Sequence, residues 1–174
     1  MTKVSSFPPI HHPSARVLIL GSMPGVASLN AYQYYAHPRN RFWSIMSQLF
    51  SIPLELEYEQ RCSQLIRNNI ALWDVLASCQ RTGSLDSNIS SNSIVTNDFN
   101  TFLHDHNDIV YVFFNGTKAE KEYVKRVIPS LDEVHVHIQY QRLPSTSPAM
   151  ASITLEQKID HWSIVKKVLT IDAE

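Results

Sequence analysis

LILGSMPGVASLNAYQYYAHPRNRFW, residues 18–43, decides how the rest of this chain is read. Its first residues extend an apolar run that begins at Val17, and the run stops at a turn carrying Gly21, Pro24 and Gly25. A short apolar run closed by glycine and proline reads as a buried strand. Polar and aromatic residues follow, and then Phe42, Trp43, Ile45, Met46 and Leu49 recur at helical spacing, which predicts a helix over 39–50. The stretch reads as a buried strand that delivers a polar, aromatic loop to a surface.

Outward from it, three more β-branched or aromatic runs, 70–75, 109–114 and 134–140, read as strands. Helices are expected over 58–69, over 97–105 with Asn97 as cap, and over 117–128 with Thr117 as cap and Pro129 as stop. A last helix, 152–170, places Leu155, Ile159, Trp162, Val165 and Leu169 on one face. Alternating strands and helices predict an α/β fold with three layers, α/β/α, around a central, mostly parallel, four-stranded sheet. Ligands of such sheets bind beyond the carboxyl ends of the strands. That selects four loops: GSMPGVASL, residues 76–93, NGTKA and LPSTSPAMA. Within the second, SLDSNISSN (84–92) is expected to be flexible.

The length of 174 residues suits one core. Residues 15–172 are expected to form a single domain behind a flexible lead-in, 1–14, which has three prolines and no apolar segment of targeting length. No apolar run approaches the roughly 20 residues that span a bilayer, so a soluble, cytoplasmic monomer is expected. Cys62 and Cys79 lie in unlike contexts without CxxC spacing and read as reduced, structural thiols. A net charge of −1 excludes a generally basic surface, so any nucleic acid must be met by local patches. Arg39 with Arg41 is one candidate; Lys118, Lys121, Lys125 and Arg126, and the pair Lys166 and Lys167, read rather as solvated helix faces. His135 and His137 share a strand face by period-two spacing, but without a matched carboxylate or cysteine they make no metal site. Neither metal nor cofactor is expected.

GSMPG followed by YAHPRNRFW resembles the first motif of the uracil-DNA glycosylase superfamily, closest to its mismatch-specific and hypoxanthine-acting branches. LPSTSPAMA, residues 143–151, is similar to that superfamily's carboxyl-terminal DNA-intercalating loop. The resemblance implies a monofunctional DNA glycosylase of base excision repair, whose partner is DNA containing deaminated bases, with hypoxanthine preferred and uracil possible. Such an enzyme must extrude the nucleotide and hold its base in a pocket that reads the base edge.

The resemblance matches Tyr35 to the aromatic that stacks on the flipped base, and makes Gly21, Ser22 and Met23 part of the base-binding turn. It assigns catalysis to Asn40; read from the residues alone, Asn40 is also a candidate helix cap. Asn115 is a base-recognition candidate and also half of a turn-forming Asn-Gly. Asp74 could contact the base, activate water or cap the next segment, and His37, held by Pro38, reads as scaffolding. Ser145, Thr146 and Ser147 could grip phosphates, while Pro148, Ala149 or Met150 fills the vacated space; alignment favours Ala149, side-chain size Met150. One letter departs from the mismatch-specific pattern. Met23 stands where those enzymes carry a water-positioning asparagine, and a thioether cannot orient water. That departure moves the catalytic assignment to Asn40, and it also motivates an alternative: a non-catalytic damaged-DNA or mismatch-binding module with a glycosylase fold.

Overall fold

In the computed structural model, which describes residues 1–171, β2 (Val17–Gly21) is buried along its whole length between two parallel neighbours, β3 (Ile70–Asp74) and β6 (Tyr111–Asn115). With β7 (Gln139–Leu143) parallel on the far side of β6, the order is β3-β2-β6-β7, four strands all parallel. A central strand covered on both faces cannot alternate apolar with polar residues, which is why VLIL runs uninterrupted.

Alternate residues feed two cores. Leu18, Leu20, Val112 and Phe114 pack with residues of α4 (Phe99–Asp105) and α5 (Thr117–Arg126), among them Phe99, Phe102, Ala119 and Tyr123. Val17, Ile19, Leu72 and Phe113 point the other way, toward α2 (Phe42–Phe50), α3 (Tyr58–Arg67) and α6 (Leu155–Ile171), where Phe42, Ile45, Met46, Leu65, Trp162 and Val165 meet them. Three layers result, as the sequence pattern requires. The expected carboxyl boundary at 172 lies outside the described residues.

Several local expectations need correction. The fourth strand lies later than 134–140: Asp132 begins a 3-10 turn over Glu133–His135, and the strand itself is the edge segment QYQRL, too exposed to show alternation. Helix α4 is capped by Asp98, whose carboxylate accepts from Thr101 N–H at 3.1 Å, rather than by Asn97, which donates to the Asp74 carbonyl at 2.8 Å. Gly116, at φ 95°, precedes α5, so Thr117 is its first residue and not its cap. Helix α6 starts at Leu155 behind a reciprocal Thr154 and Gln157 capping box.

The first residues are more than a lead-in. Strand β1 (Thr2–Ser5) pairs antiparallel with β4 (Leu76–Arg81), which continues β3 past Val75 and also pairs with β5 (Val95–Thr96). Phe7 behind it is 6% exposed and joins the core beside Tyr34. A six-residue helix, α1 (Val26–Ala31), also lies in what the pattern left as loop.

Phe113 tests this layering, being fully buried on the central sheet. Phe113→Ala should lower the unfolding free energy by about 3–5 kcal/mol in urea titrations, whereas Val136→Ala, at an 88% exposed position, should change it by less than about 0.5 kcal/mol.

Candidate active site

Strands β2 and β6 are neighbours whose following segments leave toward opposite faces of the sheet, which opens a crevice at their carboxyl ends. A cavity of about 360 Å³ occupies it, within the range of small-ligand sites. Gly21, Ser22, Met23, Tyr35, Asn40 and residues 145–150, together with Asp74 and Asn115, line this cavity, whereas Arg39 and Arg41 lie outside its lining.

Gly21 ends β2, and its missing side chain makes the room. A Cβ there would collide with Asp74 Oδ1 and come within 3.0 Å of the Tyr35 hydroxyl. Tyr35 reaches this point through a left-handed backbone, φ 56°, and its ring is stacked on Phe42 at 4.2 Å and 26°. The result is a flat aromatic wall held from behind. Among the described residues, neither the Tyr35 hydroxyl nor Asp74 Oδ2 has a hydrogen-bond partner of good geometry, although both are buried. Burial raises the Tyr35 hydroxyl pKa, the Asp74 charge adds to this, and nearby Asn115 partly offsets it.

Asp74, 3% exposed at the end of β3, has its carboxyl pKa pushed up to about 8 by burial first and by the Asp86 carboxylate second, with Arg81 pulling the other way. It therefore keeps its proton at neutral pH and offers a donor. Asp86 accepts from Ser22 Oγ at 2.9 and 2.8 Å, which fixes the first residue of the turn. Arg81 is 2% exposed beneath the same loop and donates through Nη2 to the Pro24 carbonyl. Met23 is 6% exposed, both cavity wall and core.

Asn40 lines the cavity one residue before Arg41, the N-cap of α2. Its Oδ1 accepts from Phe42 N–H at 2.9 Å, which satisfies the first N–H of α2. Asn115 is committed more fully. It donates from Nδ2 to Thr146 Oγ1 and accepts at Oδ1 from Thr146 N–H, both at 2.9 Å. Thr146 in turn accepts from Arg41 N–H at 3.0 Å. One fully buried threonine thus ties the HPRN segment, the end of β6 and the LPSTSPAMA loop together. Around it Ser145 Oγ accepts from Ser147 N–H, and Ser147 Oγ from Ala149 N–H, each at 3.2 Å. Ala149 stands exposed, with Met150 half-buried beside it.

Some wall residues were not legible. Ser84, Leu85 and Asp86 come from the stretch expected to be a flexible loop, yet they form one side of the cavity, with Ser84 Oγ accepting from Val26 N–H at 2.9 Å. A lone carboxylate in a Ser/Asn-rich segment carries no periodic signal. Buried Arg81 was equally silent. His37, expected as scaffolding, lines the cavity and accepts Arg39 N–H at Nδ1, 3.1 Å away. Lys118 and Arg126 are partly buried and held by buried Glu122 at 2.7 and 2.6 Å, so of the series expected to be a solvated helix face only Lys121 and Lys125 are exposed.

A flat wall, a protonated carboxyl and two oriented amides at the end of a parallel sheet suit recognition of a planar heterocycle. The sequence profile of the uracil DNA glycosylase superfamily matches residues 8–166. The chain belongs to the uracil-DNA glycosylase superfamily. It is 36% identical over 118 residues to a hypoxanthine DNA glycosylase of Methanosarcina barkeri (strain Fusaro), covering 67% of this chain and 73% of that one. A hypoxanthine DNA glycosylase of Methanosarcina acetivorans is likewise 36% identical, over 65% of this chain and 71% of its own. The solution NMR structure of a Methanosarcina acetivorans protein described as a uracil DNA glycosylase superposes with a TM-score of 0.78 at 30% identity, covering 97% of this chain and 99% of its own. Among the described residues no helix is long and apolar enough to cross a membrane.

The glycosylase pocket makes its own stability pH-dependent. The Asp74 carboxyl has an ordinary pKa of 3.8 and a folded one of about 8. Between those values the folded chain holds a proton that the unfolded chain has released, so this group's contribution falls as pH rises from about 4 to about 8. Asp74→Asn removes the titration. Urea midpoints should then be nearly those of the parent at pH 4 and clearly above them at pH 8, the gap growing by up to about 1.4 kcal/mol for each pH unit crossed.

Proposed function

We propose that this chain is a monofunctional DNA glycosylase that hydrolyses the bond between a deaminated base and deoxyribose, with hypoxanthine preferred and uracil second. The observation that carries the reading is the Gly21 notch, where the Tyr35 wall and the buried Asp74 carboxyl meet over one cavity. The names of the two Methanosarcina relatives support the choice of base.

In this reading the flipped base lies along Tyr35, for which stacking is worth roughly 1–3 kcal/mol. Asp74 donates its proton toward an acceptor on the base, and the Asn115 amide, fixed by Thr146, turns its remaining donor or lone pair to the edge. Purine departure needs electron density drawn off the ring, and a neutral acid near the base supplies that as the sugar becomes oxocarbenium-like. Asn40 aligns the attacking water. Its bond from Phe42 N–H holds the amide plane still, leaving one oxygen lone pair and the Nδ2 donors for this task. Ser145 and Ser147 meet phosphates beside the lesion, and the crest at Pro148, Ala149 and Met150 enters the stack; its exposure puts Ala149 foremost. No metal or cofactor is needed, and one chain carries the whole cavity.

Duplexes with a single deoxyinosine or deoxyuridine, incubated with the protein and treated with alkali, should break at the lesion, faster for deoxyinosine. Asn40→Ala should lower single-turnover cleavage about 100-fold or more while duplex affinity persists. Intact strands on every substrate, with binding retained, would favour the non-catalytic module. Within the active enzyme, cleavage should decline as pH rises through about 8, where Asp74 loses its proton, and Asp74→Asn should flatten that decline.

A further inference from the structure

At the amino ends of the strands, away from the cavity, the last turn of α4 meets the connection between α5 and β7. There His104, Asp132 and His135 each present a donor atom, and the three atoms lie within 4.8 Å of one another. We propose that these residues bind one divalent transition metal ion of the zinc class, which staples α4 to that connection.

Three observations support a built site. His135 is 5% exposed and its Nε2 has no partner among the described residues. A buried imidazole nitrogen left without a partner is uncommon, and a metal ion is one thing that satisfies it. Its ring stands edge-on to His104 at 4.8 Å, and His104 Nε2 lies 3.0 Å from Asp132 Oδ2. The third observation is the support behind the donors. Asp132 N–H donates to Asn100 Oδ1 at 2.9 Å, Asn100 Nδ2 donates to the Ser130 carbonyl at 2.7 Å, and His135 N–H donates to the Asp132 carbonyl at 3.0 Å. Asn100 thus joins α4 to the connection beside the donors, and Asp132 and His135 are fixed on one short turn.

Two imidazoles and one carboxylate suit zinc, cobalt or nickel, and not the all-oxygen shells of magnesium or calcium. Donors on a tetrahedral zinc ion sit about 3.3 Å apart at ordinary bond lengths, and rotations of the exposed His104 and Asp132 side chains close the difference. Water completes the shell. The fold, rather than the sequence spacing, supplies the carboxylate and the second histidine that His135 lacked in the linear pattern. His137 stands apart, exposed, with Nδ1 on the Val134 carbonyl at 3.0 Å.

The test uses the untagged full-length protein, freed of metal with chelator and titrated with zinc by calorimetry and by thermal unfolding. One zinc per chain and a rise in Tm are expected. His104→Ala and Asp132→Asn, both at exposed positions, should each weaken binding about tenfold or more and abolish the rise, and His135→Gln should do the same if it folds. His137→Ala should change neither. Absence of stoichiometric binding, or affinity unchanged in His104→Ala and Asp132→Asn, overturns the proposal.

Discussion

Everything at the site depends on an absence: Gly21 has no side chain. A strand buried on both faces normally ends by filling the space at its tip, and here that space is left to the Asp74 carboxyl group and the Tyr35 hydroxyl. The consequences run in sequence. Asp74 can sit fully buried only because the notch admits it, and burial is the largest cause of its proton staying on at neutral pH. Tyr35 can bring its hydroxyl to the same point only through a left-handed turn, which Phe42 holds by stacking. Two buried polar atoms that lack a partner of good geometry among the described residues are costly, and in the proposed reading the edge of the base satisfies them.

A second constraint shapes the rim. The segments that meet there come from three parts of the chain, and Thr146 holds them through bonds to Asn115 and Arg41. Trp162 adds a bond from its indole N–H to the Pro144 carbonyl at 2.9 Å, and Lys158 one from its ammonium to the Met150 carbonyl at 2.9 Å. Helix α6 therefore belongs to the rim as much as to the core. Its burial of Lys158 follows from that bond, since a lysine at 3% exposure needs an acceptor.

The central sheet and the motif residues were legible because their signals are local. An uninterrupted VLIL, a glycine turn and an HPRN segment before FW need no tertiary information to be noticed. What escaped notice was set by partners distant in sequence. The edge strand QYQRL has no hydrophobic alternation since it is solvated, while VHVHI, richer in β-branched residues, is spent on a 3-10 turn and the approach to the edge. Strand β1 looked like a tail because TKVS is polar, and it is ordered by the backbone of β4 rather than by its own side chains. The wall at Ser84 to Asp86 is fixed by Val26 and Ser22, sixty residues earlier, so composition alone described it as loose. FFNG admits either a base contact or a turn for Asn115, and its bonds to Thr146 cannot be foreseen from that stretch.

The burial of Thr146 also has a mechanical meaning. In the proposed reading, a duplex pressing against the crest at Pro148 to Met150 would load a loop that Thr146 ties to Asn115 at the end of β6 and to Arg41 at the start of α2. The loop cannot recoil by itself. Resistance would then be borne by the sheet, and in that reading the work of bending falls on the softer body, the DNA.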